Sequence, residues 1–219
     1  MARRRAEPAR FEGFGPDTFA FLRELHERNE KSWFDANRER YERWLRGPMQ
    51  ALVGELEGLF GPGRLFRPNR DIRFSKDKRP YKESVAATVG GRGGVAARYL
   101  HLNREHLFVA AGAHQLERER LVSYRRAVDA ETSGAELARI RDELAAKGYE
   151  LGGKTLKRGP RDAPKDHPRL ELLKHTGVVV DRAHPVGDWL YDPNQVLPRV
   201  IETFADAEPL VAWAREHLS

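Results

Sequence analysis

The segment from Arg64 to Lys82 holds the side chains of this chain that are best suited to bind a ligand. Eight of its residues are basic and two are acidic, so its net charge of +6 equals that of the whole chain. Guanidinium groups bind phosphate or carboxylate at two points, and lysine ammonium groups add mobile positive charge. The segment therefore predicts an anion-binding site with these donors: Arg70, Arg73, Ser75, Lys76, Lys78, Tyr81 and Lys82.

Three residues of the same segment are candidates for proton transfer if the site is catalytic. The carboxylate of Asp71 or Asp77, or the phenol of Tyr81, could exchange a proton beside cations that stabilise developing negative charge. The alternative is a solvated loop without a ligand, in which Asp71 pairs with Arg73 and Asp77 pairs with a neighbouring lysine. The residues alone leave both interpretations open.

A second basic segment runs from Lys154 to Lys174 and contains seven basic and three acidic residues. The chain outside the two segments has a net charge of −4, so the positive charge is concentrated rather than spread over the surface. Lys157 and Arg158 are predicted to complete the first site if the two segments meet. The alternative is a flexible, solvated loop.

Motifs for other kinds of chemistry are missing from the sequence. The chain has no cysteine, which excludes thiolate catalysis, disulfides and cysteine-based metal centres. Its eight histidines form no HExxH pattern, and no Walker or GxGxxG sequence is present. We therefore predict no metal ion and no cofactor, and we interpret His167 as a helix-capping residue.

Composition is typical of a globular protein, with 40% hydrophobic and 33% charged residues. No apolar stretch of about 18 residues could cross a membrane. The absence of cysteine fits a cytoplasmic location. Residues 1–10 are basic and lack an apolar stretch, which predicts a disordered tail rather than a secretory signal.

Helical periodicity dominates the first third of the chain. One helix is predicted after Gly15, a second with Ser32 as its N-cap, and a third from Pro48 to a stop at Gly61. The aromatic residues at helical spacing are expected to pack in the core rather than to stack on nucleic-acid bases. These residues are Trp33, Phe34, Tyr41 and Trp44.

The middle of the chain alternates apolar and polar residues, which predicts strands at 70–75, 84–89, 98–103 and 106–112. In the first of these, Ile72 and Phe74 are expected on the face that packs against the core. Short connections between consecutive strands imply antiparallel pairing, and so a meander.

Helical patterns return in the last part of the chain. Ser133 with Glu136 resembles a capping box, and further helices are predicted near residue 170, from Asp192 and from about Pro209. Residues 154–168 are expected to be a loop, and 178–180 a strand. The predicted fold is α+β, with a helical N-terminal layer, a central antiparallel β-meander and a helical C-terminal region, in a single domain over residues 11–219.

The string RDIRFSKDK at 70–78, followed by Pro80-Tyr81-Lys82, closely resembles the signature of the family called domain of unknown function 2461. The stretches 11–14 and 29–37 are also similar to that family, as are Leu156-Lys157, 166–168 and 172–174. The resemblance implies one conserved domain without an established activity. The chain departs from the family pattern at two places, Ala110 to Ala113 and Arg161 to Ala163, where members carry a glycine-rich turn and a glycine-aromatic step.

Three functions follow from these observations. The first is binding of a small phosphorylated or carboxylated ligand, which we expect over nucleic acid because no recognised nucleic-acid-binding motif occurs. The second is an enzyme that acts on a small anionic substrate with the same cations. The third is a domain that docks nucleic acid or an acidic protein partner. The sequence leaves the oligomeric state open.

Overall fold

The structure, a computed structural model, describes residues 10–90, 95–161 and 163–218. The predicted tail, residues 1–10, lies outside this part of the chain except for Arg10. A five-stranded antiparallel sheet occupies the middle of the sequence with helices before and after it, which confirms the α+β class. No helix of the described ranges is long and apolar enough to cross a bilayer.

Four α-helices open the fold, and they are α1 (Pro16–Glu27), α2 (Lys31–Ala36), α3 (Arg38–Tyr41) and α4 (Gly47–Phe60). A π-helical turn, Glu42–Arg46, joins α3 to α4. The prediction of Ser32 as an N-cap is wrong. The helix α2 begins at Lys31, so Ser32 lies within it and Glu30 is the capping position. The stop at Gly61 is confirmed by its φ of 89°, a conformation that glycine adopts without strain.

The sheet has the order β1-β2-β3-β4-β5, which confirms the predicted meander. Its strands are β1 (Gly63–Leu65), β2 (Val85–Val89), β3 (Ala97–Leu102), β4 (His106–Ala113) and β5 (Val178–Pro185). The short β1 was not predicted, and it pairs with β2 through Gly63 opposite Val89. Ala110 to Ala113 lie in β4 and are buried rather than in a turn. Asp162, in the other departure from the family pattern, lies outside the described residues.

The predicted strand at 70–75 is absent, and these residues form an irregular loop. Two aspartate side chains bind the backbone two residues further on, where Arg73 N donates to Asp71 Oδ1 (3.3 Å) and Arg79 N donates to Asp77 Oδ1 (3.0 Å). Such turns compete with strand pairing and override the alternation of residue types. Phe74 is 96% exposed as a consequence, not buried as predicted.

The C-terminal helices are α5 (Arg118–Asp129), α6 (Glu131–Ala146), α7 (Leu170–Leu173), α8 (Pro193–Asp206) and α9 (Glu208–His217), with a 3₁₀ turn at Asp188–Tyr191. The predicted capping box is wrong, because α6 begins at Glu131 and Ser133 lies within its first turn. The Ser133 hydroxyl instead donates to the carbonyl of Ala127 near the end of α5 (2.7 Å).

The described residues divide into two compact units, each assembled from separate parts of the chain. The first contains residues 10–90, 99–108 and 183–201, and the second contains the remaining described residues. The segment Arg64 to Lys82 belongs to the first unit, whereas Lys157 and Arg158 belong to the second. A single domain over residues 11–219 stays a prediction.

Candidate anion-binding site

Residues 68–82, here called the basic loop, are closed by backbone hydrogen bonds at their root. Arg70 N donates to Pro80 O and Lys82 N donates to Pro68 O, both at 2.8 Å. Asn69 faces Tyr81 in an isolated antiparallel bridge between these two bonds. The ends of the basic loop are therefore fixed although its tip has no regular secondary structure.

Asn29 and Phe34 hold the root of the basic loop against the core of the first unit. Asn29 Nδ2 donates to Tyr81 O and Asn29 Oδ1 accepts from Tyr81 N, each at 3.0 Å. The Tyr81 ring stacks on Phe34 with 3.8 Å between the ring centroids. Since Asn29 and Tyr81 are 7% and 5% exposed, this clamp is shielded from water. Tyr81, a predicted ligand contact, is thus placed as a buried anchor.

Asp77 binds two arginines from opposite sides of the basic loop. Arg70 Nη1 donates to its Oδ2 at 2.6 Å, and Arg79 Nη2 donates to the same oxygen at 2.7 Å. The hydrogen bonds from Arg79 and then from Arg70 hold the pKa of Asp77 far below its usual range. Arg79 also pairs with Glu83, whose Oε2 lies 2.6 Å from His26 Nδ1.

Asp71 forms a two-point ion pair with Arg73, through Nε at 3.0 Å and Nη2 at 2.7 Å. This pair lowers the pKa of Asp71 and raises that of Arg73, and it confirms the pairing expected for a solvated loop. The expected lysine partner of Asp77 is wrong, because arginines take that place with the fork geometry suited to a carboxylate. The arginines predicted as anion donors are thus engaged inside the loop.

The lysines of the basic loop are not paired with carboxylates of the described residues. Lys76 is exposed, and Lys78 Nζ donates to the carbonyl of Ile72 (3.1 Å). Lys82 Nζ donates to the carbonyl of Arg67 (3.1 Å). Ser75 is half-buried, and its backbone N–H donates to Ile72 O (3.3 Å). Positive charge therefore remains available on lysine rather than on arginine.

Lys82 and Arg67, here called the cation pair, lie together where the basic loop meets the sheet. Lys82 is half-buried, and its Nζ lies 5.5 Å from the ring centroid of Phe66. Burial, and then the charge of Arg67, lower the pKa of Lys82. Neither residue forms an ion pair with a carboxylate in the described part of the chain. The charge of Arg67 also helps to lower the pKa of Asp71, so that carboxylate offsets part of it, whereas Lys82 has no carboxylate partner in the described part of the chain. Like charges that lie close together are unfavourable unless an anion joins them.

The strand β3 brings Tyr99 and His101 next to this pair. Both are half-exposed, whereas Leu100 and Leu102 between them are fully buried. The Tyr99 ring centroid lies 6.2 Å from that of Phe66 and 6.2 Å from that of His101. The pKa of His101 is lowered by burial, then by His106 and Lys82, so its imidazole is neutral near pH 7.

A polar cavity of about 250 Å³ lies beside His101 in the first unit. Its other lining residues are Glu83, Ser84, Asn103, Arg104 and Glu105. The sequence motifs predict no metal site at the histidines, and they assign neither Arg67, Tyr99 nor His101 to a site. The alternation along β3 was the signal that places Tyr99 and His101 on one face of the sheet.

The three candidates for proton transfer are poorly placed for that role. Asp71 and Asp77 are held by arginines that lower their pKa values, so both are ionised and weakly basic near neutral pH. Tyr81 contributes its ring to the core and its backbone to the clamp. None of the three side chains is therefore placed as a free acid or base.

The second basic segment lies in the second unit. Lys157 and Arg158 are exposed and form no ion pair with a described residue, and the chain before them is held by Leu156 N donating to Lys174 O (2.8 Å). His167 Nδ1 accepts from Arg169 N (3.0 Å) in the turn that leads into α7. The Arg169 guanidinium donates to the carbonyl of Val128 (2.7 Å) and so satisfies the end of α5.

Within the described residues no group of three or more histidine, aspartate or glutamate side chains could hold a metal ion.

Comparisons with known proteins place the chain in a family. A search of curated proteins found no match. The family model described as "Conserved hypothetical protein (DUF2461)" matches residues 17–213 of the 219. The chain therefore belongs to this family of conserved hypothetical proteins.

Proposed function

We propose that this protein binds a small ligand through a phosphate or carboxylate group, and that the cation pair Arg67 and Lys82 is the centre of the binding site. The observation that carries the proposal is the half-buried Lys82 beside a second cation, with no carboxylate partner for its ammonium among the described residues. An anion between the two groups would offset both the desolvation of Lys82 and the repulsion from Arg67.

The contacts of the basic loop support a ligand site at Arg67 and Lys82 rather than at the arginines predicted from the sequence, Arg70 and Arg73. Arg70 and Arg79 are bound to Asp77, and Arg73 is bound to Asp71, so a ligand there would have to displace internal ion pairs. Lys82 has only a backbone carbonyl to give up. Lys76 and Lys78 add long-range attraction for an anion that approaches the loop. Lys157 and Arg158 belong to the second unit, and their role in ligand binding stays a prediction from the sequence.

The same features support a binding protein over an enzyme, because the two aspartates of the basic loop are held by arginines that lower their pKa values. Placement of the protein in the cytoplasm, where small phosphorylated metabolites are abundant, belongs to the same proposal. The absence of cysteine agrees with it.

The test is the binding of inorganic phosphate, pyrophosphate and citrate, measured by thermal shift and titration calorimetry. Lys82→Met removes the charge but keeps the length of the side chain. Because a hydrogen bond to a charged group contributes about 1.5–3 kcal/mol, affinity should fall about 10- to 150-fold. The matched control is Lys31→Met, which removes an exposed lysine paired with Asp35 (2.6 Å) and should bind as wild type does.

The variant also separates a binding role from a structural one. The native state lowers the pKa of Lys82, so folding disfavours its charge, and Lys82→Met without ligand should unfold at the same or a higher denaturant concentration. The proposal fails if none of the three anions stabilises the wild-type protein. It fails equally if Lys82→Met binds them with unchanged affinity.

A further inference from the structure

The face of the sheet next to the cation pair presents a row of rings in the first unit. Besides the Phe66–Tyr99 and Tyr99–His101 contacts, Tyr99 lies 6.4 Å from Phe108, and His106 lies 6.3 Å from Phe108, between ring centroids. Neighbouring rings are inclined by 42° to 69° along these contacts, so they do not cover one another face to face. We call this row the ring platform, and its members are Phe66, Tyr99, His101, His106 and Phe108.

The ring platform is accessible although its other side is packed. Phe66 is 39% exposed, and the other members are half-exposed. Leu100, Leu102 and Leu107, which alternate with them, are fully buried. The strands β3 and β4 thus place aromatic rings, rather than the charged or small polar residues common on a solvated sheet face, where a ligand can reach them.

The cavity beside His101 provides hydrogen-bonding groups at the end of the platform. The Asn103 Oδ1 already accepts from the backbone N–H groups of Glu105 (2.8 Å) and His106 (2.9 Å), so its amide nitrogen is left to donate. Glu83 also lines the cavity, and its carboxylate is held by Arg79 and His26. At about 250 Å³ the cavity is smaller than the roughly 300–1,000 Å³ of sites for drug-sized ligands, so it suits one ring system or one sugar.

We infer that the ligand is a nucleotide, with its phosphate on the cation pair and its base against Tyr99 and His101. This inference rests on the proposed function and adds the class of ligand. A nucleotide has a chemical group for each part of this surface. Its phosphate suits Arg67 and Lys82, its flat base suits the rings, and its donors and acceptors suit the cavity. Sugar phosphates and di- or tricarboxylates have the anionic group but no aromatic ring to stack on Tyr99 and His101.

The continuity of the surface supports a single ligand rather than two separate sites. The Lys82 ammonium lies 5.5 Å from the Phe66 centroid, and Phe66, Tyr99 and His101 follow at 6.2 Å intervals. The charge of Lys82 also acts on His101 directly, because it contributes to the low pKa of that imidazole. The groups proposed to bind the phosphate and the base therefore lie on one continuous surface, which a single nucleotide could span.

The test compares ribose 5-phosphate, thymidine monophosphate, adenosine monophosphate and the unphosphorylated nucleosides by titration calorimetry. Stacking of a base on an aromatic side chain corresponds to about 5- to 150-fold in affinity, so the nucleotides should bind tighter than ribose 5-phosphate by that factor. Tyr99→Leu should lose this gain and keep the affinity for ribose 5-phosphate. Tyr99→Phe should retain it.

Two further variants guard against misfolding as the cause of a loss. Phe66→Leu changes a second, more exposed ring of the platform and should also reduce the preference for nucleotides. The control is Tyr191→Leu, which alters a 38% exposed tyrosine that contacts Phe19 outside the platform and should leave binding unchanged.

The outcomes separate the inference from the function on which it rests. Equal affinity for ribose 5-phosphate and the nucleotides, or nucleotide binding that Tyr99→Leu does not change, overturns the nucleotide assignment and leaves the anion site standing. No binding of ribose 5-phosphate or of any nucleotide overturns both. An oligothymidylate with a 5′-phosphate shows whether the bound nucleotide is free or belongs to a strand. Tighter binding of the oligothymidylate than of thymidine monophosphate indicates the end of a single strand. Weaker binding of the oligothymidylate indicates a free nucleotide.

Discussion

Replacement of Asn29 by alanine tests whether the clamp on Tyr81 holds the basic loop in place. The change removes both hydrogen bonds to the Tyr81 backbone and leaves a buried N–H and a buried C=O unpaired. Each unpaired group costs about 1–3 kcal/mol, so the free energy of unfolding should fall by about 2–6 kcal/mol. At about 2–4 °C per kcal/mol for a chain of this length, the melting temperature should fall by about 4–24 °C.

The assay is urea unfolding followed by tryptophan fluorescence, with trypsin digestion of the native protein as a second readout. A released loop should be cut after Lys76 or Lys78 faster than in wild type. The control is Asn194→Ala, which removes an exposed asparagine bonded to Asp192 (3.1 Å) and should change stability by less than about 0.5 kcal/mol. If Asn29→Ala is as stable and as resistant to trypsin as that control, the clamp does not hold the loop.

Two other consequences concern the loop itself. Because Asp77 has a lowered pKa in the folded chain, its pairs contribute stability above its unfolded pKa of about 3.8, and this contribution is lost as the pH falls through the lower folded pKa. The difference in urea midpoint between wild type and Asp77→Asn should therefore be positive at pH 7 and shrink at pH 3; a constant difference would contradict the pairing. Phe74→Ser should change the free energy of unfolding by less than about 0.5 kcal/mol, since the ring is 96% exposed, whereas a loss above about 1.5 kcal/mol would mean that Phe74 is packed in solution.

The sequence by itself predicted those features that depend on local physics. The helix after Gly15, the stop at Gly61 and the strands around 84–89, 98–103 and 106–112 follow from periodicity and from residues with special backbone preferences. The short links from β2 to β3 and from β3 to β4 also predicted antiparallel pairing. The charge count located the basic loop, because charge is a property of residues and not of their contacts.

The alternation at 70–75 misled the prediction because it describes residue types and not their partners. Asp71 and Asp77 bind nearby backbone and arginines, which turns a strand-like pattern into a loop with Phe74 in solvent. The same contacts decide which cations of the basic loop are paired with carboxylates of the described residues: its three arginines are, and its three lysines are not. No count of charges could distinguish them.

Only the tertiary structure decided where the candidate site lies. Asn29 and Tyr81 are 52 positions apart, and their two hydrogen bonds fix the loop on the core. Lys82 lies against Phe66, Phe66 lies beside Tyr99 of β3, and the charge of Lys82 lowers the pKa of His101 on the same strand. The pairing of strands joins these segments, which are distant along the chain. Residue types determine how much positive charge the segment carries. The placement of Lys82 beside Arg67, on which the proposed site rests, depends on packing between segments that are distant along the chain.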